Sequence, residues 1–163
     1  MGHSSGAHIA MLMAVERIET CIENEQDWLG EHTLHFDTMV GLSGVYSISH
    51  HFDFEAGRGV EELSPMKPAC GYTRQSFDYY SPALRLQSLL SKAFPSKRVD
   101  EIIQKLMPKM LLLHGMDDNV VPFTSTSEAG KIMRSCGVRH CEEYYQPLKG
   151  HPDVVMELMV GGW

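Results

Sequence analysis

Residues Gly2-His3-Ser4-Ser5-Gly6 form a G-x-S-x-G pattern, and an apolar, helix-forming run from Ala7 to Val15 follows at once. Few local folds satisfy both. The pattern fits a serine on a tight strand-to-helix turn, with small flanking residues because a side chain there would collide with the neighbouring strand or helix. Such a turn exposes the Ser4 hydroxyl at a helix N-terminus, where the dipole favours developing negative charge. The amide of Ser5 then supplies one donor to an oxyanion. A turn of this kind needs a strand in front of its serine, and only Met1 precedes Gly2. The chain therefore reads as the C-terminal part of a longer domain.

The rest of the chain alternates strand and helix signals. Residues 6–18 are predicted helical and apolar nearly all round, hence buried. Residues 19–37 turn polar and read as a surface connection, with Trp28 and Leu29 docking it. Thr38 to Tyr46 reads as a buried strand whose glycines let a loop or substrate approach the backbone. Residues 47–82 mix His, Phe and Tyr with Gly and Pro and show no long period. They are expected to form a loop-and-short-helix excursion over the sheet edge, a lid or substrate wall. Ser81-Pro82 opens a short helix, and Val99 to Leu106 has helical spacing that stops before Pro108. Lys109 to Gly115 reads as a second strand and Thr124 to Cys136 as a helix with hydroxyl caps at its start and Gly137 past its end. Arg139 to Tyr145 reads as a third strand and Asp153 to Val160 as a last helix. This order predicts an α/β fold: a parallel sheet flanked by helices, a partial domain over residues 1–163 whose N-terminal strands are missing.

Composition narrows the function. With 43% hydrophobic residues the chain can build a core. A net charge of −7 argues against a nucleic-acid or anionic-membrane surface. No apolar run approaches the roughly 20 residues of a spanning helix. Cys21, Cys70, Cys136 and Cys141 lack metal or redox C-x-x-C spacing, so free thiols in a reducing, cytoplasmic setting are expected. His50, His51 and Asp53 lack the spacing of a metal site.

Ligands bind outside the carboxyl ends of strands in open α/β sheets. The second strand leads into His114-Gly115-Met116-Asp117-Asp118-Asn119-Val120-Val121-Pro122, and the third into Gly150-His151-Pro152-Asp153. A serine needs a base to take its proton, and the base needs a carboxylate to fix its tautomer and stabilise the imidazolium. Ser4, Asp118 and His151 supply nucleophile, acid and base in the order Ser…Asp…His. Asp117 stands beside Asp118 as an alternative acid. His114 reads as a packed strand-end residue.

With these motifs the chain resembles the C-terminal part of a serine esterase of the α/β-hydrolase superfamily. It is most similar there to isoprenylcysteine methylesterase-like enzymes, neighbours of the feruloyl/acetyl-esterase and kynurenine formamidase branches. The likeness runs through the elbow at residues 2–10, Gly41 to Tyr46, His51-Phe52 with Arg58-Gly59, Ser81-Pro82, the H-G-x-x-D-x-x-V-P turn, His151-Pro152-Asp153 and Gly161-Gly162. The spacing to Pro122 puts the family's acid on Asp118. The family's first half, with the strand feeding the elbow and the loop giving a second oxyanion amide, has no counterpart. Losing one such donor costs about 10²–10³ in rate.

The resemblance implies hydrolysis of small-molecule carboxylic esters through an acyl-enzyme, without cofactor or metal, with prenylcysteine methyl esters as a substrate class. It implies no nucleic-acid partner, and membrane contact only through the absent N-terminal part. Two alternatives stand beside it: an arylformamidase or feruloyl/acetyl-type esterase, and a truncated, non-catalytic fragment acting as an interaction module.

Overall fold

The computed structural model describes residues 1–23, 36–92 and 97–161. In chain order these form β1 (Gly2–His3), α1 (Ser5–Glu23), β2 (Thr38–Leu42), α2 (Ile48–Gly57), a 3₁₀ turn (Glu61–Leu63), α3 (Met66–Cys70) and α4 (Arg74–Tyr79). There follow α5 (Pro82–Lys92), α6 (Lys97–Leu106), β3 (Lys109–Gly115), α7 (Thr124–Ser135), β4 (Cys141–Gln146) and α8 (Asp153–Met159). The strands form one parallel sheet in the order β1-β2-β3-β4.

The leucine run of β3 shows why the sheet sits inside. Met110 and Leu112 join the larger core with Met11, Val15 and Ile18 of α1, Ile102 and Ile103 of α6 and Met133 of α7. Leu111 and Leu113 face the other way and pack with Leu42 and Val154 of α8. A strand alternates its side chains between faces, so a stretch packed on both, as Met110 to Leu113 is, reads as a continuous apolar run. The buried Leu112 and Leu113 contribute about 1.5–3 kcal/mol each. β4 differs, alternating the exposed Glu142 and Tyr144 with the partly buried Cys141, Glu143 and Tyr145, as an edge strand does.

The register aligns the strand ends. His3 pairs with Leu42, Leu42 with Leu113 and Leu113 with Tyr144. The C-terminal ends of all four strands therefore lie along one rim.

Several expectations need correction. α1 is not buried all round: Ile9 is 55% and Met13 46% exposed. The glycines of β2 admit neither loop nor substrate, because the chain's own Tyr46, fully buried, fills the space beside Gly41 and Gly44. β2 ends at Leu42, and Ser43 turns the backbone to φ 46°. α7 starts after Phe123 with no side-chain cap. β4 begins two residues later than predicted. Trp28, Leu29 and Gly162 lie outside the described residues.

The excursion forms three short helices, α2 to α4, around a small apolar cluster of Val45, Ile48, Cys70, Phe77 and Val121. Ser47 caps α2 by accepting from the His50 amide, and Thr73 and Ser76 form a capping box on α4. The excursion was opaque to periodicity because helices of five to ten residues are too short to show one.

Candidate active site

Ser4 stands between β1 and α1 with φ 53°, a left-handed conformation that costs a non-glycine residue about 1–3 kcal/mol. The surroundings hold it there. Its N–H extends the β1–β2 ladder by donating to the Leu42 carbonyl at 2.8 Å, and its own carbonyl accepts from Ala7 and His8, both at 3.1 Å. One residue thus ends a strand and starts a helix. Gly2 is required, since a Cβ there would overlap the backbone of Gly6 and Ala7. Gly6 is not, for nothing lies within 4 Å of the Cβ it lacks, which corrects the expectation that both glycines avoid a collision. Ser5 is exposed as the first residue of α1, and first-turn amides have no intrahelical acceptor.

The acid turn follows β3. Asp118 is 7% exposed. Its Oδ1 accepts from the amides of Val120 at 2.9 Å and Val121 at 2.8 Å. Its Oδ2 lies 2.7 Å from His151 Nδ1 and 3.3 Å from His114 Nε2. Burial pushes the carboxyl up, but the hydrogen bonds from His114 and His151 and from the two valine amides outweigh it. They hold the group well below the ordinary carboxylate range. Asp117 is exposed, and its amide donates to the Lys149 carbonyl at 3.0 Å. The ambiguity between the two aspartates is therefore one of orientation: one carboxylate meets the imidazole of His151, the other faces solvent.

The loop after β4 carries His151 back across the sheet. Its Nδ1 faces Asp118, and its ring lies against His3 of the elbow, with centroids 4.6 Å apart. The elbow, the acid turn and the His151 loop thus meet at one rim. Among the described residues no hydrogen bond joins Ser4 Oγ to His151; in unliganded sites such bonds are often long and tighten only with substrate.

Two contacts had no sequence signal strong enough to find them. His114, fully buried, accepts from the Thr126 hydroxyl or donates to it at 2.7 Å, and its Nε2 lies 2.9 Å from the Val121 carbonyl. It is packed at the strand end, and its Nε2 also approaches the Asp118 oxygen that meets His151. The H-x-x-x-D spacing carried this signal, but only a turn that folds back on its strand makes it a contact. His51 of α2 is 4% exposed and pairs through Nε2 with Glu55 at 3.2 Å. Burial pushes its imidazole down against the upward pull of Glu55, and the charges of His151 and Asp118 act on it too. His50 pairs instead with Glu128 and Asp53 with Arg74. Among the described residues no cluster of His, Cys, Asp and Glu is arranged to hold a metal.

A cavity of about 850 Å³, lined by Glu16, Glu19, Asp78, Tyr79 and Arg85 among others, opens elsewhere. From Ser4 to Glu16 is about 18 Å along the helix, so this acidic hollow is separate from the rim.

No protein-family model matches the chain. It is 27% identical over 96% of its length to a probable isoprenylcysteine alpha-carbonyl methylesterase of Oryza sativa subsp. japonica, covering 37% of that protein. It is 26% identical over 96% of its length to a second such probable methylesterase, of Arabidopsis thaliana, covering 30%. The chain thus spans about a third of the length of these relatives. Among solved structures, carboxyl esterase 2 of the fungus Tuber melanosporum superposes with a TM-score of 0.56 at 18% identity, over 92% of this chain and 43% of that one. The acylaminoacyl peptidase of Pyrococcus horikoshii gives 0.56 at 14% identity, over 92% of this chain and 19% of that one. The chain has the α/β-hydrolase fold. Among the described residues no helix is long and apolar enough to cross a membrane.

Proposed function

We propose that this chain, α/β-hydrolase in fold and similar in sequence to the methylesterases, is the part of a carboxylic ester hydrolase that bears its catalytic side chains. Ser4 attacks the ester carbonyl while His151 takes its proton, then returns one to the leaving alkoxide. Asp118 fixes the His151 tautomer with Nδ1–H toward the carboxylate, which leaves Nε2 to act as base. The Ser5 amide donates to the oxyanion, and water releases the acyl group. The substrate class is a small-molecule ester, and prenylated cysteine methyl esters fit the likeness to the two plant proteins. Residues 47–82 form the substrate-facing wall of a partial hydrolase domain over 1–163. A cytoplasmic setting agrees with four cysteines that are all unpaired.

The observation that carries this reading is the 2.7 Å contact between His151 Nδ1 and Asp118 Oδ2, beside a serine in a strained left-handed turn. A fluorophosphonate probe is expected to label Ser4, and Ser4→Ala to abolish the label. Labelling that persists in Ser4→Ala ends the proposal. Preference for prenylcysteine methyl esters over aryl formamides and feruloyl or acetyl esters, in one panel, separates the methylesterase reading from its rivals.

A further inference from the structure

The loop that carries His151 is fixed on its acid side twice, by the Asp117 amide on the Lys149 carbonyl and by the Asp118 carboxylate on the ring. On the nucleophile side, among the described residues, the hydrogen bond to it comes from His3. The His3 Nε2 lies 2.9 Å from the His151 carbonyl oxygen. A carbonyl only accepts, so Nε2 of His3 carries the hydrogen and donates it, which fixes the His3 tautomer. The two rings also pack against each other, tilted by 45°. His3 itself is anchored as the last residue of β1, in register with Leu42. One side chain thus connects the strand that presents Ser4 to the main chain of His151.

We infer that His3 is a positioning residue, which holds the His151 imidazole at a set place relative to the nucleophile elbow. It touches neither the reacting bond nor the transferred proton. It acts through the backbone and ring face of His151, and Asp118 alone leaves that ring free to swing about the Nδ1 contact. The inference rests on the hydrolase reading for its consequence in rate, but its geometry can be tested apart from it.

Three variants separate bond from ring. His3→Gln keeps an N–H donor at the same reach, His3→Phe keeps a ring without the donor, and His3→Ala loses both. Two readouts are taken on each: steady-state hydrolysis of p-nitrophenyl acetate, and the water-exchange rate of the downfield proton on His151 Nδ1, assigned by its loss in Asp118→Asn. His3→Phe is expected to lower kcat about tenfold or more with KM within about twofold, because small misplacements of a catalytic group cost rate rather than binding. Its imidazole proton exchanges faster than in the wild type. His3→Gln restores both to within about threefold, which a merely structural ring would not do, and His3→Ala behaves as His3→Phe or worse. If His3→Phe and His3→Ala match the wild type in kcat and in exchange, the inference is overturned while the hydrolase reading survives. If the wild type is inert but the proton is present and loosens in His3→Phe, the positioning role stands and the hydrolase reading falls. A wild-type spectrum without a held His151 proton overturns the inference as well.

Discussion

Both oxygens of the Asp118 carboxylate are in use, Oδ1 by two backbone amides and Oδ2 by two imidazoles. That sharing sets up a test at His114. His114→Phe leaves the Thr126 hydroxyl and the Val121 carbonyl without their ring partners, and each unsatisfied buried group costs about 1–3 kcal/mol. A lower midpoint in urea is therefore expected. The Asp118 carboxylate also loses one of the two imidazoles on Oδ2, so ester hydrolysis should change by more than the fraction unfolded explains. An unchanged rate per folded molecule would mean that His114 only packs. Residues of this kind divide cleanly in legibility. That the Ser4 elbow, Asp118 and His151 come to one rim was legible from their order at strand ends. The contacts of His114 and His3 were not, because each depends on a turn or loop folding back onto a strand, a fact that spacing alone does not encode.

Among the elements, β3 was legible to the residue, since its continuous apolar run Met110 to Leu113 is bounded by Pro108 before it and His114-Gly115 after it. β4 was not, because an edge strand carrying Glu142 and Glu143 dilutes the apolar signal. The glycines give the sharpest test at this level. A Cβ on Gly115 would overlap the Lys149 carbonyl, so Gly115→Ala has to push the His151 loop off the end of β3. Overpacking of this sort costs about 1–3 kcal/mol, and ester hydrolysis is expected to fall by more than the fraction unfolded explains. Gly6→Ala, with open space at its Cβ, should hold both stability and rate, and gain slightly from the better helix propensity of alanine. Circular dichroism melts of the two variants side by side check the contrast. Equal losses would contradict the placement of the loop.

For the whole molecule, proton uptake links the site to stability. His8 and His51 are held below the ordinary imidazole range, chiefly by burial, which favours the neutral ring. As pH falls below about 6.5, the unfolded chain binds protons that the folded one refuses, and stability drops. Asp118, held low, behaves as a second stage: its contribution is complete above about pH 4 and is lost as pH falls toward its folded value. The Tm measured from pH 8 to 3 should accordingly fall in two steps. The double change His8→Gln, His51→Gln should remove the upper step and keep the lower one, and a profile unaltered by it would show that these rings do not resist protonation.

Val121 gives the excursion its bearing on this chemistry. Its side chain belongs to the little cluster with Ile48 and Phe77, while its amide grips Asp118 at 2.8 Å. The floor beneath the excursion and the seat of the Asp118 carboxylate are one residue. Whatever shifts that small cluster against the sheet therefore pulls on the same backbone that holds the carboxylate.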